Sequence, residues 1–178
     1  MILDDILAYR VSVRKFDPSR KLPDGTVETL VSAAMLAPSW KNSQTPRYHA
    51  VLTGDMRSKL LDCLGSRNAQ NAADESVLIV TTFVKDVAGF NREGKPDNEL
   101  GNGWGIYDAG LANSVLLLKA AELGIDSLVM GIRDAQAISR TLGLPGNEAV
   151  LSVIALGYRT ADPVRPARKP LDEILKIY

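Results

Sequence analysis

VLIVTTFV, residues 77–84, is rich in β-branched side chains and has no polar alternation. A strand of that kind is expected where a sheet is covered on both faces, which puts it mid-sheet. Upstream, Tyr48 to Leu52 reads as a second strand; downstream, Ile125 to Met130 and Val150 to Leu156 read as two more. Helical patterns fill the intervals. Pro23 and Asp24 offer a start for a stripe of Val27, Leu30, Val31, Ala34 and Met35 that Pro38 stops. Asp55 is placed to cap a helix with Met56, Leu60, Leu61 and Leu64 on its apolar face. Asp108 to Leu123 is the longest helical pattern, with Ala109, Gly110 and Ala112 on its small side and Gly124 as its stop. A further helix spans Asp134 to Leu142 and ends at Gly143 and Pro145. At the start, Ile2, Leu3, Ile6 and Leu7 make a short helix that runs into the alternating segment Arg10 to Asp17. Strand–helix alternation taken alone suggests a doubly wound α/β sheet.

The 178 residues correspond to a single domain, 1–178, able to enclose a ligand. Lys+Arg 21 against Asp+Glu 21, with 46% hydrophobic residues, speaks against disorder and against a polyanion-binding coat, so no nucleic-acid partner is expected. One Cys and one His exclude an internal disulfide framework and a four-cysteine zinc site, and leave a nucleophile–base pair little to build from. Asp4 and Asp5 interrupt what a secretory signal would need, and no apolar run approaches the roughly 20 residues of a spanning helix. The expectation is a cytoplasmic protein with no membrane partner.

Ser39 to Pro46 (SWKNSQTP) is a loop dense in donors and acceptors. Ala88 to Ile106, with Gly89, Gly94, Gly101, Gly103 and Gly105, reads as a long mobile loop; its G-x-G-x-G lacks the preceding strand of a dinucleotide-binding turn. Residues 159–178 form a Pro-rich C-terminal arm that must dock on something. Arg10, Arg14, Lys15, Arg20 and Lys21 crowd one end of the chain, and Arg159, Arg165, Arg168 and Lys169 the other. If the ends meet, both clusters can converge on one anion, for which a phosphate-bearing ligand and the hydroxyl of Ser12 are suitable; solvated surface cations are the alternative. His49 among Tyr48, Ala50 and Val51 reads as a half-buried strand residue, and Cys63 between Leu61 and Leu64 as a small core residue.

With so few acid–base side chains, any catalysis would rest on a cofactor that the chain binds and orients. Arg10-Val11-Ser12-Val-Arg14-Lys-Phe16, followed by Ala37-Pro38-Ser39-Trp40-Lys-Asn42-Ser-Gln44-Thr-Pro-Arg47-Tyr48, resembles the two N-terminal signatures of the flavin-dependent nitroreductase family. Asp108-Ala-Gly110, Met130-Gly131-Ile132, Leu142-Gly-Leu-Pro145, Ala155-Leu-Gly157-Tyr158 and Arg168-Lys-Pro170 follow in that family's order.

The resemblance implies an α+β nitroreductase-like fold in place of the doubly wound sheet: a mixed central sheet flanked by helices, in a homodimer with flavin sites at its interface. By position, Arg10, Ser12 and Arg168, with Arg165 or Lys169, would hold the phosphate of FMN. Val11 would contact the cofactor through its backbone only. Arg14 would face the flavin's pyrimidine edge and favour its reduced, anionic form. Pro38, Ser39, Trp40, Asn42 and Gln44 would line the cofactor from the other subunit, and Gly131 and Ile132 would present N–H groups near N5 and O4. The implied activity is ping-pong hydride transfer from NADH or NADPH through flavin N5 to a small aromatic acceptor such as a nitroaromatic or quinone, with no side chain as acid or base and no metal. Rivals are a dehalogenating or flavin-modifying relative on the same fold, and a non-catalytic anion- or nucleotide-binding module.

Overall fold

The computed structural model describes residues 2–52 and 54–178. Helix α1 (Leu3–Tyr9) carries Asp4 and Asp5 in its first turn, where they complement the helix dipole, and buries only Ile6. Next come α2 (Thr26–Ala34), β1 (Pro46–Val51), α3 (Gly54–Asp62), α4 (Ser66–Asn71) and β2 (Val77–Val84). The second half holds α5 (Gly103–Glu122), β3 (Asp126–Met130), α6 (Ala135–Leu142), β4 (Glu148–Gly157) and α7 (Leu171–Ile174). Asp55, the expected cap, stands instead inside the first turn of α3, which begins at Gly54. Asp134 caps α6 by accepting from the Ala137 N–H at 2.9 Å, and Gly143 ends it at φ 62°, a left-handed turn that glycine adopts freely.

The strand order is β1-β2-β4-β3, and every neighbouring pair is antiparallel. Since β2 and β3 each run opposite to β4, they point the same way, and α5 joins them across a position that β4 fills. That inserted strand overturns the doubly wound expectation: alternation of strand and helix along the chain does not settle which strands become neighbours. The mixed character expected of the sheet is confined to its edge, in an isolated parallel bridge between Ser12 and Ser127.

Strand β2 is buried along all but its last residue, and its alternation serves two cores. Leu78 and Val80, with Val153 and Ala155 of β4, meet α3, α6 and the N-terminal Val11, Val13 and Phe16. Val77 and Ile79, with Ile154 and Leu156, meet Leu30 and Ala34 of α2 and Ala112, Leu116 and Ala120 of α5. The result is a three-layer stack whose middle layer is almost dry.

Helix α5 begins at Gly103, earlier than the pattern suggested, because two of the loop-like glycines are helical. At Gly105 a Cβ would stand 2.6 Å from Phe83 Cε2, so the absence of a side chain lets α5 lie on the end of β2. Nor is the preceding segment a free loop. Asp86 and Asn102 exchange two hydrogen bonds of 2.8 Å, Asn91 Oδ1 accepts from the N–H groups of Glu93 and Lys95, and the Asp97 N–H donates to Gly89 O at 2.8 Å. Among the described residues no helix is long and apolar enough to cross a membrane.

Gly105→Ala is expected to lower stability by about 1–3 kcal/mol through overpacking. Phe83→Leu in the same chain should recover part of the loss, measured as the urea midpoint at constant slope.

Candidate functional site

The sequence-predicted residues fall into two sets. In the first, Ser12 and Val13 sit on the free edge of β3, with the Val13 N–H donating to Ser127 O at 3.0 Å, and Phe16 then bridges to Arg159 just past β4. An extended chain alternates its faces, so Val11 and Val13 are buried while Arg10, Ser12 and Arg14 stay accessible; the alternation breaks at Arg14 and Lys15, both exposed, after which Phe16 turns back into the core. Val11 can therefore offer only its backbone outward. Gly131 and Ile132 follow β3 directly. A Cβ on Gly131 would meet nothing within 4 Å, and Ile132 has its side chain in solvent and its carbonyl on Asn68 Nδ2 at 3.0 Å.

The two chain ends meet here. Arg159, which opens the arm, is bound through its Nε to Asp126 Oδ1 at 2.8 Å, and its backbone N–H reaches Asp126 Oδ2 at 2.7 Å. Its guanidinium also lies 4.5 Å from the centroid of the Tyr9 ring, on which it can stack. Arg165 donates to the Tyr9 carbonyl at 2.9 Å, one residue from Arg10. Arg168 is exposed, and Lys169 pairs with Glu173 inside the arm at 2.8 Å. Of Arg165, Arg168 and Lys169, Arg165 is the one that hydrogen-bonds the N-terminal segment among the described residues.

The second set is the loop between α2 and β1. Pro38, Ser39 and Gln44 line a pocket of ≈ 290 Å³ with Met35, Tyr48 and Asp108. Lys41, Asn42 and Gln44 hold φ of 47°, 56° and 50°, a left-handed region costly for residues with side chains. Hydrogen bonds hold them there: the Gln44 N–H on Ser39 Oγ at 3.1 Å, Arg47 Nη1 on Gln44 O at 2.8 Å, and the Trp40 N–H on Asp108 Oδ2 at 2.9 Å. The Trp40 ring turns to Trp104, 4.4 Å between centroids, and is not among the pocket-lining side chains. Ile132 borders a different cleft, between Asp62–Gly65 and Arg133–Gln136, so the two sets share neither pocket.

Asp108 and Trp104 are the residues whose roles the chain did not declare in advance. A carboxylate opening an otherwise small and apolar helical stripe was the available signal for Asp108. Burial pushes its carboxyl above the ordinary 3.8, against the pull of the Trp40 N–H. The Tyr48 phenol, also on this pocket, is pushed up to about 12 by burial and its hydroxyl has no hydrogen-bond partner among the described residues.

Set against known proteins, this architecture is that of a solved oxidoreductase containing FMN, matched at a TM-score of 0.83 with 27% identity over 97% of this chain and 90% of that one. The chain belongs to the nitroreductase family, whose model matches residues 7–158, and is thus an oxidoreductase. It is 27% identical to the protein DrgA of Synechocystis sp. over 198 aligned residues, covering 96% of this chain and 93% of that one. It is also 27% identical to an NADPH-flavin oxidoreductase of Vibrio harveyi, covering 94% and 70%.

Asp108 binds its proton more tightly folded than unfolded, so its ionisation removes stability as pH rises from 3.8 through the raised folded value. Asp108→Asn, which keeps an acceptor for the Trp40 N–H, should therefore gain in stability on the wild type as pH rises from 3 to 7. Urea midpoints across that range test the sign.

Proposed function

We propose that this chain is an FMN-dependent NAD(P)H oxidoreductase that reduces small aromatic acceptors, nitroaromatics and quinones, and that it works as a homodimer in the cytoplasm. The observation that carries the reading is the edge segment 10–14, which aims Arg10, Ser12 and Arg14 outward while Val11 and Val13 anchor it. A relative named for flavin and a solved relative containing FMN point the same way.

The residues present suit FMN. Arg10 and Ser12 supply a cation and a hydroxyl for its phosphate, and Arg165, already held at Tyr9, brings the arm to the same corner, with Arg168 and Lys169 further along. Arg14 would place a fixed positive charge at the pyrimidine edge. The clear space at Gly131 leaves room for a flat ring to approach the backbone there, and Ile132 follows it. Pro38, Ser39, Asn42 and Gln44 would line the ring from the second copy, with Trp40 behind them. When bound, FMN supplies a relay for two electrons and a proton between nicotinamide and acceptor. The chain's own task is to bind, orient and bias the charge of that group.

Two copies are invoked because the sets line no common pocket in one protomer. The protomer also exposes apolar side chains that a seam would cover: Ile2, Leu3, Leu7, Met35, Leu36 and Ile106. Residues 159–178, exposed almost throughout, would complete that seam as a docking arm.

Purified protein is expected to be yellow, dimeric, and bleached anaerobically by NADH or NADPH; a colourless protein that binds no FMN would overturn the reading. Arg10→Ala should weaken FMN binding more than it slows flavin reduction, and Arg14→Ala the reverse. About tenfold in each case corresponds to the loss of one charge-assisted contact. Titration of FMN fluorescence and stopped-flow bleaching separate the two quantities.

A further inference from the structure

Loop 38–44 is costly to hold in shape, and not all of its ties are local. Three of its residues have side chains and left-handed φ, so the segment would relax if released. Two ties come from outside the loop and its flanking strand and are not needed to close its hydrogen bonds. Lys41 Nζ meets Asp97 at 2.7 Å, and the Trp40 ring lies on Trp104, tilted by 43°. The indole N–H of Trp40 is buried and has no hydrogen-bond partner among the described residues, so ring contact rather than polar bonding orients that side chain.

Trp104 is itself braced. Its Nε1 donates to Asn98 Oδ1 at 2.9 Å, the neighbour of the Asp97 that holds Lys41. Tyr107, one turn along α5, meets its edge at 5.7 Å between centroids. Gly89 lies against its other side, where a Cβ would come within 2.7 Å of Trp104 Cδ1. Segment 86–102 thus forms a socket for one indole, and that indole presses on the loop's only aromatic ring.

We propose that Trp104 is a positioning residue: acting through Trp40, and with Asp97 acting through Lys41, it locks loop 38–44 in shape before any cofactor arrives. This rests on the reading of that loop as part of the FMN site. The loop and segment 86–102 then behave as one body, and the affinity for FMN depends on a residue that need not touch it.

The protein holds two tryptophans in all, Trp40 and Trp104. Packed and tilted as they are, they should give an exciton-coupled, two-signed band in far-ultraviolet circular dichroism. The cofactor-free wild type is expected to show that band and to keep it when FMN is added. Trp104→Ala and Trp104→Phe should both abolish it. Trp104→Ala should raise the FMN dissociation constant about tenfold, the loss of one aromatic pair, while Trp104→Phe, which restores a ring under Trp40, should return it to within about threefold of wild type. Asp97→Asn removes a partly exposed ion pair without disturbing the socket and should cost about two- to fourfold in FMN affinity with the band retained; it decides the matter if Trp104→Ala does not fold. An absent band in the cofactor-free wild type, or wild-type affinity in both Trp104→Ala and Asp97→Asn, overturns the proposal. If the wild type binds no FMN, the functional reading falls first and takes this inference with it, even with the band present.

Discussion

The pairing of β2 with β4 is the constraint on which the rest depends. Both strands are dry through their centres, so each needs covering on two faces, and the helices have no choice but to divide: α2 and α5 above, α3 and α6 below. Because β4 also occupies the position between β2 and β3, it pushes β3 to the outside. That displaced edge is where Ser12 and Val13 attach. The outward row of Arg10, Ser12 and Arg14 therefore depends on a strand far away in the chain, since without β4 in place β3 would have no free edge in that position.

A second consequence concerns the chain ends. Asp126 opens β3 and is almost fully buried, a costly place for a carboxylate unless it is paired. Arg159 answers it with both side chain and backbone, and the same guanidinium covers Tyr9 at the end of α1. One buried ion pair thereby joins three elements: the end of the first helix, the start of the edge strand and the root of the C-terminal arm. Without that closure Arg10 and Arg165 would have no reason to share a corner.

The opposite side of the protomer is governed by loop shape rather than by charge. A loop with three strained residues keeps a single conformation only where its surroundings over-determine it, and here Asp108, Arg47, Ser39, Asp97 and Trp104 all contribute. Asp108 carries an electrostatic cost in doing so, since its carboxyl is buried with a backbone N–H in place of a countercharge. Segments that looked like flexible punctuation, the glycines near residues 89–105, instead make room: Gly89 for Trp104, Gly105 for Phe83.

Local periodicity was enough to place the four strands and the main helices, and to show that Arg10, Ser12 and Arg14 share one face while Val11 and Val13 share the other. Side-chain direction in an extended or helical chain repeats every two or every 3.6 residues whatever lies nearby, so it can be read in one dimension. The short α4 went unseen because its six residues bury none of their side chains and so carry no stripe. Strand order, the antiparallel sense of the sheet, the Asp126–Arg159 closure and the hold of Trp104 on Trp40 were decided by the tertiary structure alone. Each joins residues tens of positions apart, and composition or spacing carries no record of which distant partner a side chain will meet. A helix start hidden among glycines at 103 and 105 belongs with them, because the fit of bare backbone against Phe83 exists only once β2 and α5 are packed.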